Sequence, residues 1–423
     1  MGISYDDLRS GVAGSAVGAR ARTVLEPLGG PNDKIFPPTY GPAEGELPKN
    51  METKYAVETR VSLASDAGVK SVVLDSVASQ ANRFELALLE AVRRGDLVMP
   101  LTSVDFSPNP DLGLDRLSDL EAPHRIFDAL LRDSYDGALL FRFGGPGRAI
   151  TEATSRNAGA LFHHAPATLV FGGWDSTGPK GGRGAKYERA LTSEVVATDV
   201  SLGAKTSSRI DPAAIEKAAV VYMSDDDLGW TLDEAEAVRD ETGKPRLVGK
   251  KKANLGVPSG INHGNIPPTI DTKSGGVTAK RIVATTVLSF IQLRRLCFPT
   301  GLDLDQLPDR SAAEVAARTA LAALGLAAVV LAVEEGFDLR SRCVLVATEP
   351  FQFELVGRDG TVDSFTLSAV EATALVHEAA EASARAGLPW REAELLLRPS
   401  ERLVDLIRRS RAHAVAVGDA GEE

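Results

Sequence analysis

Cysteine is nearly absent: only Cys297 and Cys343 occur in 423 residues. That excludes a disulfide framework and a Cys-rich zinc site, and it fits a reducing cytosol. Long apolar runs are lacking too. The longest, residues 320–333, has 14 residues where a membrane span needs about 20, so it reads as a buried helix. Residues 1–9 show no basic segment followed by an apolar one, and Asp6 stands where a myristoylation signal has Ser or Thr. A cytoplasmic protein with no membrane partner is expected. Net positive charge is missing as well, since 47 Lys+Arg stand against 58 Asp+Glu, a formal charge of −11. Taken alone, that balance argues against a nucleic-acid partner.

The average conceals a segregation. Residues 1–140 hold 14 basic and 21 acidic residues, 141–300 hold 21 and 16, and 301–423 hold 12 and 21, with no lysine after Lys280. Any anion site therefore belongs to the middle of the chain. With 43% apolar and 25% charged residues, the chain can bury a sizeable core, which excludes a disordered or fibrous protein.

Residues 1–50, rich in Gly and Pro, read as an irregular N-terminal arm. Strands are expected at 55–63 and 71–74, turning at Asp66-Ala67-Gly68, followed by a helix over 76–94 that Gly95 stops. Further helices are expected from Pro123 through Leu131, over 151–162 and after the loop at 172–187. Strands are expected at 138–143 and 167–171. Residues 224–275 are polar and irregular and read as a long insertion. Apolar helices are expected at 278–296 and 312–333, a strand at 339–347, a helix opened by the capping pattern at Ser368–Glu371 and stopped by Gly387, and a last helix over 391–411. Strands interrupted by helices, with elaborate loops, indicate an α+β fold.

Residues 178–186 form a Gly-rich loop that could cradle phosphate through backbone N–H groups. It is not a nucleotide-hydrolase loop, because Lys186 is followed by Tyr187 rather than Ser or Thr. Lys180, Arg183, Lys186 and Arg189 remain, readable equally as a solvated loop or as phosphate contacts; Lys205 and Arg209 flank hydroxyl residues of a similar kind. Asn82, Arg83, His124 and Arg125 sit on expected helices, where polar surface positions are common. Adjacent His163 and His164 cannot easily share one metal and read as structural. Asp225-Asp226-Asp227 reads as a solvated acidic run rather than a cation site. Asp175 is an isolated carboxylate, a weak basis for metal-assisted hydrolysis. No Ser-His-Asp, Cys-His or paired-carboxylate arrangement stands out, and neither a cofactor nor a metal is expected.

Several segments occur together in order: SVVLDSVASQANRFE (71–85), APHRIFD (122–128), ALFHHAPATLVFGGWDS (160–176), YERALTSE (187–194), GNIPP (264–268), GGVTAKR (275–281) and TVLSFIQLRRL (286–296). Over roughly residues 55–350, this set resembles the RAMP-superfamily backbone subunit (Cas-seven family, Csb-one group) of type I-U, or type I-G, CRISPR effector complexes. The resemblance implies an RRM-like, ferredoxin-like palm over 51–350 with finger and thumb insertions, the thumb or finger at about 224–275, and a C-terminal helical segment over 351–423. It implies a non-enzymatic subunit that polymerises with further copies of itself along CRISPR RNA. That filament joins other Cascade subunits and supports guide pairing with target DNA. A filament subunit grips ribose-phosphate without reading sequence, because base pairing does the reading. The implied RNA contacts are Asn82, Arg83, His124, Arg125, Lys180, Arg183, Lys186, Arg189, Lys205, Arg209, Lys280 and Arg281. Two other classes stay open: a metal-dependent RAMP endoribonuclease acting through Asp175, and a protein scaffold that binds no RNA.

Overall fold

The computed structural model describes residues 2–42, 51–62, 65–178, 184–215, 218–249, 252, 254–301 and 306–420. Contacts divide the chain into two compact units. The larger comprises Met1–Gly41, Tyr55–Ser201 and Val277–Ile407; the smaller comprises Pro42–Lys54, Leu202–Gly276 and Arg408–Glu423.

The chain begins with helix α1 (Tyr5–Ser10), closed at its start by a capping box between Ser4 and Asp7. Strand β1 (Ala16–Pro27) follows, where an irregular arm was expected. Its buried positions alternate through Ala19, Ala21, Thr23 and Leu25, a period of two carried mostly by small side chains and therefore faint in the sequence. A hairpin comes next, β2 (Val57–Ser62) and β3 (Ser65–Asp75), with Ser62 opposite Ser65. Residues 66–68, expected as the turn, therefore belong to β3, and 63–64 lie outside the described residues. Helix α2 (Val77–Arg94) matches its expectation: Ser76 caps one end and Gly95, at φ 80°, the other.

The next stretch is more broken than its apolar spacing suggests. It comprises β4 (Thr102–Asp105), β5 (Arg116–Ser118), a 3-10 turn at Arg125–Phe127, α3 (Ala129–Arg132), β6 (Ser134–Asp136) and β7 (Leu139–Leu140). The helix expected from Pro123 is interrupted because Arg125 adopts φ +54°. The strand expected at 138–143 shrinks to β7 and a 3-10 turn, Phe141–Phe143. Helices α4 (Gly145–Glu152), α5 (Gly159–His164) and α6 (Pro166–Phe171) follow. α6 was expected as a strand, but all six of its residues are buried, so no periodicity distinguishes the two forms. A two-residue ribbon joins β8 (Gly173–Trp174) to β9 (Lys186–Tyr187). Strand β10 (Leu191–Leu202) stands where a helix was expected after the loop.

In the smaller unit, β11 (Lys205–Arg209) pairs antiparallel with β14 (Ile266–Asp271), and β12 (Tyr222–Met223) with β13 (Trp230–Thr231). Asp226 accepts hydrogen bonds from the N–H groups of Leu228 and Gly229, so the acidic run at 225–227 shapes a turn.

Returning to the larger unit, β15 (Val277–Ser289) replaces most of the helix expected at 278–296, leaving only α7 (Phe290–Leu293). Ile282, Ala284, Thr286 and Leu288 are buried in strict alternation within a β-branched run, and strand pairing overrides the helical reading. Helix α8 (Arg310–Glu335) is the buried helix expected from the longest apolar run. It is also the one helix among the described residues long and apolar enough to cross a membrane, and 83% of that window is buried inside the protein. A hairpin, β16 (Phe337–Arg340) and β17 (Cys343–Ala347), turns through Arg342 at φ 61°. Then come β18 (Phe353–Gly357), β19 (Val362–Phe365) and α9 (Ala369–Arg385), whose Ser368–Glu371 capping box was expected. The helix expected over 391–411 divides into β20 (Leu395–Pro399) and α10 (Glu401–Ala420).

The main sheet runs β16-β17-β1-β15-β10-β3-β2, with β18 also beside β1 and β19 beside β18. A second sheet runs β5-β4-β20-β6-β7, with β20 parallel to β4. The architecture is α+β, built from antiparallel pairings with that one parallel exception among the registers. At the centre, Gly18 is required: a Cβ there would lie 2.4 Å from the Leu288 carbonyl oxygen across the β1–β15 pair. α8 packs against α2, α6 and α9, and its Leu321, Leu324 and Leu326 are almost completely buried. Each such leucine contributes about 1.5–3 kcal/mol.

Candidate nucleic-acid interface

The cations read from the sequence separate into those used inside the fold and those facing outward. Arg125 is buried, 8% exposed. Its Nε and Nη2 lie 2.5 and 2.8 Å from the two carboxylate oxygens of Glu85 on α2, and Nη1 donates to the Gly172 carbonyl at 3.2 Å. Its guanidinium also faces the Phe171 ring at 5.7 Å. Burial pushes the Glu85 carboxyl up while Arg125 pulls it back. Arg83 is similarly spent: Nε pairs with buried Asp75 at 2.9 Å, and Nη1 and Nη2 donate to the carbonyls of Asp338 and Leu339. Both arginines tie α2 to neighbouring elements, so neither presents a free guanidinium to a phosphate. Asn82 and His124 are exposed, and the His124 backbone N–H donates to Asp128.

Lys186 and Arg189 are exposed just before β10, whereas Lys280 and Arg281 are exposed on β15. Ser289 N–H donates to Ala190 O at one end of the β10–β15 pair, and Thr198 Oγ1 donates to Arg281 O towards the other. Eight strand residues separate those points, about 26 Å at 3.3 Å per residue. The two cation pairs therefore mark opposite ends of one strand pair. Lys280 Nζ lies 3.7 Å from Asp199, an exposed pairing of small worth. In the smaller unit, Lys205 pairs with Asp271 at 3.3 Å and Arg209 ends the exposed strand β11. Lys180 and Arg183 lie outside the described residues.

Asp175, the candidate nuclease carboxylate, is 3% exposed and held 2.7 Å from Arg142, which also donates to the Thr177 carbonyl. A carboxylate so enclosed and neutralised is poorly placed to hold a catalytic cation. No cluster of three or more His, Cys, Asp or Glu side chains with metal-binding geometry occurs among the described residues. His163 donates through Nδ1 to the Pro389 carbonyl at 2.9 Å, which fixes its tautomer. His164 stands edge-on to it, and burial, then the neighbouring His163, push its pKa down to about 3. Both rings border a cavity of about 300 Å³ with Pro146, Glu152, Asn157 and Thr300.

Sequence reading missed three structural partners: Arg142, Arg294 and Asp119. Arg294, within the 286–296 segment, donates to the carbonyls of Gly11, Val12 and Ala16 and fixes the turn before β1. Its role has no local signal, because its partners lie 278 to 283 residues away. Asp119 is buried and accepts from the Thr102 N–H at 3.3 Å; burial pushes its pKa up to about 7. A carboxyl raised in the folded state binds a proton that the unfolded chain has already lost, so its contribution is complete below about pH 4 and is lost as pH rises to about 7. Asp119→Asn keeps the acceptor and removes the ionisation. It is expected to match the wild type near pH 4 and to exceed it by on the order of 2 kcal/mol at pH 8, measured by urea unfolding at both pH values.

No curated protein matches the chain. A solved structure, the crystal structure of Thermofilum pendens Csc2, aligns over 95% of this chain and 77% of that one, at 10% identity and a TM-score of 0.23. A likeness that low adds nothing to the assignment. Residues 20–202 match the family described as CRISPR-associated protein GSU0053, a stretch that begins inside β1 and ends with β10. Over that stretch, less than half of its length, the chain is similar to this CRISPR-associated family.

Proposed function

We propose that the protein is a non-enzymatic, CRISPR RNA-binding backbone subunit of a cytoplasmic type I-U (type I-G) Cascade complex. Copies of it line up along the guide with other Cascade subunits, and the assembly supports pairing of guide with target DNA. The family match over residues 20–202 carries this reading. Two features of the fold support it. Strands β17-β1-β15-β10 lie side by side, with α2 between β1 and β10 in the chain and α8 between β15 and β17. That order supports reading these elements as a βαββαβ palm of the RRM-like, ferredoxin-like kind, with the β2–β3 hairpin as an addition. Outward-facing cations at both ends of β10–β15 suit a backbone gripped at intervals, and they reconcile RNA binding with a net charge of −11. The insertion at about 224–275, which contains β13 and β14, is the candidate for a finger or thumb element.

Purification of the full chain with its neighbouring complex subunits and a CRISPR array tests the reading. RNA of uniform length is expected to co-purify, with affinity falling steeply as salt rises. Preparations free of RNA would overturn it in favour of a protein scaffold. Magnesium-dependent cleavage of complementary RNA that Asp175→Ala abolishes would overturn the non-enzymatic assignment.

A further inference from the structure

Trp174 is 48% exposed even though a cation covers one of its faces: Lys186 Nζ lies 4.5 Å from the ring centroid. The two residues face each other directly across the β8–β9 ribbon. A large aromatic left half in water is costly, and here the backbone beneath it is fixed from several sides. Tyr187, the residue after Lys186, is buried and stacks on Phe127 with ring planes 10° apart. Gly173 sits where a Cβ would meet Thr168 at 2.6 Å, and the carbonyl of Gly172, at φ +84°, accepts from Arg125. On the other side, Asp175 is clamped by Arg142. The indole is thus carried on a short, rigid ribbon, with Arg189 exposed two residues beyond the stacked Tyr187. Lys186 also lines a groove of about 150 Å³ with Gln292 and Arg295.

We infer that Trp174 is a base-stacking platform for single-stranded RNA, with Lys186 held against one face of the indole and a nucleobase stacking on the face that remains open. Three observations point the same way. Lys186 polarises the ring and supplies a charge beside the stacked base for its phosphate. Every nucleobase has a π face, so the contact is indifferent to sequence, as a subunit that leaves reading to base pairing requires. The ring pre-exists in position, so little ordering is lost on binding.

This inference rests on the RNA-binding reading above, and the test separates the two. A short single-stranded homopolymeric RNA is titrated into the full chain while tryptophan emission is followed. Quenching is expected in the wild type and in Trp230→Phe, and its loss in Trp174→Phe, whose smaller ring still stacks and keeps most of the affinity. Trp174→Ala is expected to bind roughly ten- to a hundredfold more weakly with an unchanged dependence on salt, whereas Lys186→Ala lowers the salt slope by the equivalent of about one neutralised phosphate. Thermal unfolding of the alanine variant should match the wild type, because the ring is half in solvent. Wild-type RNA binding that Trp174→Ala leaves intact would overturn the stacking role alone, as would a loss of self-association in Trp174→Ala without a loss of RNA affinity. Absence of RNA binding by the wild type would overturn the reading beneath it.

Discussion

Arg125→Ala is expected to destabilise the protein by roughly 3–5 kcal/mol, because it strands the buried Glu85 carboxylate without its bidentate partner. Glu85 then escapes the cost of a naked charge only by taking up a proton, so the loss grows as pH rises. Denaturant unfolding at pH 5 and pH 8 is expected to show the larger deficit at pH 8. Arg125→Lys is not a rescue: a lysine cannot reproduce the fork that meets both Glu85 oxygens and the Gly172 carbonyl together. Arg125→Met combined with Glu85→Leu removes both charges and is expected to recover most of the loss. A deficit below ~1 kcal/mol in Arg125→Ala, with RNA affinity lowered instead, would return Arg125 to the interface.

That outcome bears on what the sequence could disclose. Elements with strong local signals were legible: α2 and α9 through their caps, and α8 through its apolar length. β1 and β15, the central pair of the main sheet, were not. In β1 the alternation is written in alanines, and in β15 a dense apolar run mimics a helix until partners on both sides impose a period of two. α6 failed in the opposite direction, since a segment buried on every side keeps no period to read. The candidate site divides similarly. Residue type and charge pattern located the cations in the middle third, but only long-range contacts tell which are consumed. Arg142, Arg148, Arg294, Arg295 and Lys205 all belong to that basic stretch and all have partners within the chain. Pairing with Asp175, Glu152, Glu188 and Asp271 of the same stretch leaves its excess of five unchanged, but the function rests on fewer residues than its 21 cations imply.

The combined variant Lys186→Ala, Arg189→Ala, Arg281→Ala is expected to weaken RNA binding roughly a hundredfold or more near 0.1 M salt and to flatten the logarithmic salt dependence by about two, near 0.7 for each phosphate of a single strand that is no longer neutralised. All three side chains are exposed and none forms a close ion pair among the described residues; Arg189 acts on the buried Glu85 only at longer range, and Arg125 keeps both hydrogen bonds to that carboxylate, so unfolding should shift little. Arg83→Ala supplies the opposite arm. Its guanidinium joins Asp75 to the carbonyls of Asp338 and Leu339, so stability should fall while the salt slope stays the same. Fluorescence anisotropy with one labelled single-stranded RNA from 0.05 to 0.3 M salt, beside denaturant melts of the same preparations, separates these patterns. If Arg83→Ala lowers the slope and the triple variant does not, the interface lies on the α2 side and the outward cations of β10–β15 serve solubility alone. If the slope falls only in the triple variant, a strongly acidic chain binds a polyanion through a few cations spaced along one pair of strands.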